Sequence, residues 1–270
     1  MMEDLGRLYD ASYYQHGCGE PYQRNELWLS LFTGFAEHII QEIQPKTVLD
    51  AGCAMGFLVE CLRERGVEAW GVDISEYAIA NAHENIRPYC WVGSITQPFP
   101  RQYDLIVSIE VLEHLPAAET EEAIANLCRH SDDILFSSTP FDYKESTHFN
   151  VRPPEGWAES FACQGFYRDV DFDASFLTPW AVRFRRRVDP AHRLIRDYER
   201  KFWLLWKENT DLRKLVGEIR DESTATQARA AQAEYQTQLL QSQLSELHDS
   251  RTWKLADRIR KIYRTLFPLK

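Results

Sequence analysis

The chain has 270 residues, 44% of them hydrophobic, and carries 41 Asp and Glu against 31 Lys and Arg, a formal net charge of −10. That balance argues against general nucleic-acid binding, and there is no apolar run of the ~18 residues that a membrane-spanning helix needs. Six scattered cysteines without a CxxC pair predict reduced, mostly buried thiols, and no secretory signal pattern is present, so a cytoplasmic protein of one domain plus an extension is expected.

In chain order, Tyr13 to Arg24 combine aromatics, glycines and a proline, an arm expected either to pack on the core or to close over a site. Glu26 to Glu42, with Trp28, Leu31, Phe32, Phe35, Ile39 and Ile40 apolar, predicts an amphipathic helix. Thr47 to Ala51 reads as a short strand running into a glycine turn. A helix from Phe57 to Arg65 is ended by Gly66, and a second strand, Ala69 to Asp73, ends in an acid. Strand, glycine turn, helix, strand and acid form the layout of a nucleoside-binding α/β unit. Gly52 and Gly56 let backbone approach a ligand, and Asp73 can accept hydrogen bonds from both hydroxyls of a ribose. Gly52, Ala54 and Gly56 fit the dinucleotide fingerprint poorly. Asp50 would repel a pyrophosphate but suits an ammonium.

Further strands are predicted at Tyr89 to Ile95, Tyr103 to Ile109 and Ile134 to Ser138, with a turn over Gln97 to Pro100 and a helix from Ala118 to Arg129. This order, with the run Asp50-x-Gly52-x-Ala54-x-Gly56, resembles the class I S-adenosylmethionine (SAM) methyltransferases over residues 10 to 187. The resemblance implies an α/β fold, a doubly wound, seven-stranded Rossmann-like sheet. Pro153 to Gly165 would be its late helix, and strands near 167–172 and 180–186 would complete it as an antiparallel hairpin. It also implies SAM as cofactor and O-methyl transfer as the reaction. On that basis Asp50, Gly52, Cys53 and Gly56 form the cofactor loop, and Asp73 and Ile74 hold the ribose. Ser94 and Ile95 border adenine, Ser108 belongs to the cofactor set, and Tyr14, Tyr22 and Arg24 belong to a lid that excludes water.

After the fourth strand comes Glu110-Val111-Leu112-Glu113-His114. A turn there gathers two carboxylates and an imidazole around one point, a donor set for Mg²⁺, Mn²⁺ or Zn²⁺, and His148 beyond the fifth strand can face the same cleft. The element resembles that of small-RNA 3′-terminal 2′-O-methyltransferases and of ubiquinone-pathway O-methyltransferases, which methylate one oxygen of a vicinal pair. Carried over, Glu110, Glu113, His114 and His148 would ligate Mg²⁺ or Mn²⁺, with Glu113, His114 and His148 at the catalytic centre. The residues alone leave open a metal-free site in which His114 or His148 is the general base. The stretch from His148 to Arg187 resembles methyltransferases encoded with bacterial surface-polysaccharide enzymes, which implies a saccharide hydroxyl as acceptor. Catechol or RNA methylation, a non-catalytic SAM-binding scaffold and an NAD-dependent nucleotide-sugar oxidoreductase are the competing readings.

The expected organisation is a methyltransferase domain over 1–188, a helical extension over 189–219, a coiled coil over 220–250 and a basic amphipathic tail over 251–270. Ala233, Leu240, Leu244 and Leu247 lie near a/d spacing, interrupted by Thr237. In the tail Arg251, Lys254, Arg258, Arg260, Lys261, Arg264 and Lys270 oppose only Asp257. Trp253, Leu255, Ile259, Ile262, Tyr263, Leu266 and Phe267 are apolar, a pattern suited to an anionic membrane face. Ser250 to Leu255 resembles an element found beside coiled coils in bacterial glycosyltransferases. The expected partners are a saccharide or lipid-linked glycan, a second copy or a glycosyltransferase through the coiled coil, and the inner membrane face.

Overall fold

A computed structural model describes residues 5–266. It contains a seven-stranded sheet built from β1 (Thr47–Ala51), β2 (Glu68–Asp73), β3 (Cys90–Val92), β4 (Leu105–Ile109), β5 (Asp133–Ser137), β6 (Phe166–Arg168) and β7 (Val182–Arg186), in the order β3-β2-β1-β4-β5-β7-β6. The first five strands are parallel, and β7 runs antiparallel to both β5 and β6. This is the seven-stranded, Rossmann-like sheet that the resemblance implies.

Parallel strands covered on both faces read as continuous apolar runs whose alternate residues feed two cores. Val48, Val107 and Leu135 point into one core with α2 (Glu26–His38) and α3 (Phe57–Glu64). Leu49, Ile106, Ile134 and Phe136 point into the other with α5 (Ala117–His130) and α6 (Pro154–Cys163). Burying a side chain such as Leu49 is worth roughly 1.5–3 kcal/mol, so a one-residue register slip would exchange both cores at once.

Element limits depart from the sequence reading in instructive ways. The helix predicted to Glu42 is α-helical only to His38, and a π turn over Ile39–Ile43 then hands the chain to left-handed Gln44. The third strand is cut to Cys90–Val92 because Gly93, Ser94 and Ile95 leave the sheet to border a cavity. The remaining helices are α1 (Ala11–His16), α4 (Glu76–Ala80), α7 (Ala191–Asp249) and α8 (Arg251–Leu266). The chain divides into a compact unit through Tyr198 and a second unit from Glu199. The helix α7 crosses residues 219 and 220, where the helical extension was expected to pass into a coiled coil, without a break. Ser250 interrupts it and caps α8 by accepting the Trp253 N–H at 3.3 Å. Phe267 and Lys270, the last members of the expected tail, lie outside the described residues. No helix among those described is long and apolar enough to cross a membrane.

Candidate functional site

The strand order reverses between β1 and β4, and in open α/β sheets that switch point opens a crevice at the carboxyl ends of the strands. A cavity of about 580 Å³ lies there, within the size range of small-molecule sites. Its wall takes Gly52 and Ala54 from the turn after β1, Asp73 and Ile74 from the tip of β2, and Ser94 and Ile95 after β3. Glu110, His114 and His148 line it as well.

Two residues other than glycine hold left-handed backbone at this wall, Ala54 at φ 47° and Glu110 at φ 52°. Each costs on the order of 1–2 kcal/mol relative to glycine, and such outliers cluster where a site over-determines the chain. At Ala54 the reason is visible. Its N–H donates to Asp73 Oδ2 at 2.8 Å, while the Ser75 N–H donates to Oδ1 at 2.8 Å. Alanine thus keeps the conformation that a middle glycine would adopt, and the turn ties the acid at the strand tip in place. Burial raises the Asp73 pKa, and these backbone donors oppose the rise. Gly52, at φ 93°, could not be alanine, because a Cβ would stand 2.3 Å from Val111 Cγ2.

The neighbouring Asp50, near the end of β1 beside this turn, is buried and is not itself among the lining residues. Among the described residues no hydrogen bond engages its carboxyl. Burial, followed by the charge of Asp73, pushes its pKa up to about 8. It is an acid kept neutral for want of a counter-charge.

The structure brings Glu113, His114 and His148 together, with one donor atom of each within 4.8 Å of the others. Glu113 and His114 sit in a single 3-10 turn, Leu112–His114, which follows β4. His148 arrives on the loop after β5, where Asn150 anchors the chain by donating its N–H to the Glu113 carbonyl at 3.0 Å. The imidazole centroids of His114 and His148 lie 4.6 Å apart. His114 Nδ1 is 3.1 Å from the Thr147 carbonyl and His148 Nδ1 is 2.8 Å from the Asp142 carbonyl. A carbonyl only accepts, so each Nδ1 carries a proton; His114 is left with its Nε2 lone pair, the posture of a metal-ligating histidine, whereas the Nε2 of His148 faces the Glu145 carboxylate at 3.1 Å. Burial, then the charge of His148, lowers the His114 pKa to about 4. The fully buried Glu113 is displaced the other way, well above the ordinary carboxylate range, by burial and then by the Glu110 charge. Its Oε2 has no hydrogen-bond partner among the described residues.

Glu110 departs from its expected place among the ligands. Its Oε1 accepts from the Ser137 hydroxyl and, at 2.9 Å, from the Trp180 indole N–H, so it braces β4 against the segment before β7. A second cluster of metal-binding type, Asp142, Glu145 and His148, stands on the loop instead, with Glu145 Oε2 3.1 Å from His148 Nε2. Its Asp-x-x-Glu-x-x-His spacing was readable in the sequence but was not singled out.

Several expected cofactor contacts are likewise not in the lining. Arg24 clamps Glu60 on the flank of α3, with its Nη2 2.7 Å from Oε1. Tyr22 stacks on Phe57 at 4.8 Å, Cys53 packs into the core beneath the turn, and Ser108 is sealed inside the sheet with its hydroxyl unpartnered among the described residues. Gly56 is left-handed to start α3, and a Cβ there would meet Ile86 and Cys90 rather than a ligand. Of the three lid candidates only Tyr14 lines the cavity. It does so with Tyr9 and Tyr13, which the sequence reading missed although the three tyrosines fall within six residues. Tyr9 and Tyr13 meet the edge of His114 at 5.5 Å and 6.3 Å between centroids. The Ser75 hydroxyl donates to the Tyr9 carbonyl at 2.5 Å and fixes the arm to the tip of β2.

Fold and cleft define a methyltransferase domain. Residues 22–167 match the family model described as a methyltransferase domain, and the chain belongs to that family. It is 32% identical over 113 residues to a ubiquinone biosynthesis O-methyltransferase of Nitrosomonas europaea, a match covering 38% of this chain and 48% of that one. The corresponding protein of Saccharophagus degradans is 31% identical over 106 residues, 36% of this chain and 45% of the relative. The chain therefore spans about half the length of the curated relatives it matches. Magnesium protoporphyrin IX methyltransferase (ChlM) of Synechocystis PCC 6803, solved with bound SAH, superimposes with a TM-score of 0.51 at 17% identity, covering 67% of this chain and 99% of that one. CalS10, an amino pentose methyltransferase of Micromonospora echinaspora solved with SAM, gives 0.51 at 14% identity, with 67% and 97% coverage. These two solved proteins share the fold.

Proposed function

We propose that the chain is a SAM-dependent O-methyltransferase that acts on a saccharide hydroxyl in surface-glycan synthesis, assisted by a divalent ion. The carrying observation is the cluster of Glu113, His114 and His148 at the wall of the switch-point cavity. SAM supplies an electrophilic methyl group on a sulfonium. The residues fit it: Asp73 offers lone pairs to a ribose, Ser94 and Ile95 border the place for adenine, and the Asp50 carboxyl, buried beside the turn, would act on the methionine ammonium directly or through water. The N-terminal tyrosines screen this space from water.

Bound at His114, His148 and Glu113, Mg²⁺ or Mn²⁺ would lower the pKa of a coordinated hydroxyl. His114 presents an Nε2 lone pair and Glu113 an unsatisfied oxygen, and His148 would turn its Nε2 from Glu145 to the ion. His114, with a pKa of about 4, is too weak a base to hold a hydroxyl proton at neutral pH, which favours its use as a ligand. Calorimetric titration of Mn²⁺ into the SAH-bound protein should show saturable binding that His114→Ala and Glu113→Gln remove. Cofactor binding without any metal binding would leave His148 as the base and end the metal reading.

The likeness to a protein named as an amino pentose methyltransferase and the surface-polysaccharide resemblance support a sugar acceptor. The basic, amphipathic α8 supports work beside an anionic membrane, where a lipid-linked glycan would lie. A catechol-type acceptor is the second reading, favoured by the names of the curated relatives. Methyl transfer from labelled SAM to a panel of saccharides and catechols separates the two.

A further inference from the structure

We propose that α7, from Phe202 to Leu247, is one strand of a parallel two-stranded coiled coil formed with a second copy of this chain. Leu194 is its only buried residue, so along this stretch the helix has no tertiary packing of its own, whereas helices in proteins draw most of their stability from a packed face. With Phe202 set at a, the heptad runs to Leu247 without a skipped residue. Leu205, Leu212, Val216 and Ile219 fill a and d positions of the first half, and Leu240, Leu244 and Leu247 those of the end, every one exposed. Small residues from Ser223 to Thr237 occupy the seam between them. The register extends the expected coiled coil towards the N-terminus by more than two heptads. It also stops where it must, since continued past Ser250 it would place Arg251, Lys254, Arg258 and Lys261 on the seam.

Three features select the occupant. The a, d, e and g positions from Phe202 to Leu247 number 26 per copy, matching the ~20–30 residues a side of a stable interface. In a parallel, in-register pair each g residue faces the e residue five positions on in the second copy. That sets Glu208 against Arg213, Arg229 against Glu234 and Gln236 against Gln241, and no like-charged pair arises along the whole seam. Asn209 occupies an a position. In the parallel pair it meets its own copy and the two amides satisfy each other. In an antiparallel pair matched end to end it faces Leu240 and is buried without a partner. A polar a residue of this kind fixes register and strand number.

Sedimentation equilibrium of the full chain at tens of micromolar should give a dimer. The double substitution Leu212→Asp, Ile219→Asp, at two residues of the second unit that are not among the cavity lining, should give a monomer with unchanged SAH affinity. In a chain also carrying Cys18→Ser and Cys163→Ser, Ser223→Cys should form an interchain disulfide in air, and Asp221→Cys, at an f position, should not. A monomeric parent overturns the proposal, as does a dimer indifferent to the double substitution, which would place the contact elsewhere. A dimer that Leu212→Asp, Ile219→Asp abolishes but Ser223→Cys fails to link overturns the parallel alignment.

Discussion

Replacing Asp50 with Asn should uncouple SAH binding from proton release. In the free chain burial and the Asp73 charge hold the Asp50 pKa at about 8, so about nine-tenths of the carboxyls are protonated at pH 7. An ammonium bound against this group favours the ionised form, so binding at pH 7 should expel up to about one proton. Between pH 7 and pH 6 the ionised fraction falls further, and SAH affinity should weaken with it, by up to about tenfold. The ammonium of the ligand, with the ordinary α-amino pKa of roughly 7.7–8.0, stays charged over that interval, so the slope belongs to the protein. Calorimetry in two buffers of different ionisation enthalpy counts the protons directly. Adenosine, which lacks the ammonium, and Asp50→Asn should each show none, and the variant should bind SAH more weakly. Tight SAH binding with no proton released by the parent chain, or undiminished release from Asp50→Asn, would refute the placement of the ammonium.

Tyr9 buries a hydroxyl that has no partner among the described residues, so Tyr9→Phe should leave the melting temperature unchanged or slightly higher. Tyr9→Ala, which empties the ring site beside Tyr13 and His114, should cost about 3–5 kcal/mol by denaturant titration and weaken SAH binding. Arg24→Met strands the buried Glu60 carboxylate and should destabilise by about 1–3 kcal/mol while sparing SAH affinity; a large affinity loss at unchanged stability would restore Arg24 to the lid. Flotation with phosphatidylglycerol vesicles should carry the chain upward in low salt. Leu255→Glu with Ile262→Glu, on the exposed apolar side of α8, should abolish that, whereas flotation by the double variant equal to the parent would remove the membrane role.

How far the sequence disclosed the molecule depended on whether a feature was periodic or had to be folded to exist. The β1 strand, the turn at Gly52 and the acid at Asp73 are local patterns, and they stand where the sequence put them. The sheet order follows because parallel strands joined by helices admit few topologies. Ala54 looked like a defect in the motif, and the structure shows it holding the glycine conformation against an Asp73 hydrogen bond. The lid went astray for a different reason. Aromatic composition does not say which rings point inward: with the arm anchored at Ser75, Tyr9 and Tyr13 line the cavity while Tyr22 stacks on Phe57.

The metal-type cluster shows why spacing alone misassigns a member of a set. Glu110, Glu113 and His114 are close in sequence, yet the carboxylate of left-handed Glu110, although it stays beside Glu113, is engaged by the Ser137 hydroxyl and the Trp180 indole. The φ of Glu110 is a property of how β4 ends against β5, which no helical wheel or heptad count contains. The vacancy it leaves is met by Glu145, from a loop whose register is fixed by Asn150 and whose own carboxylate approaches His148. If Glu145 is a ligand in place of Glu110, Glu145→Gln should weaken Mn²⁺ binding at least tenfold, the scale on which displaced coordination partners act. Trp180→Phe, which loosens only the Glu110 brace, should change it little. The reverse ranking would return Glu110 to the ligand set and require its bonds to Ser137 and Trp180 to be exchanged for the ion.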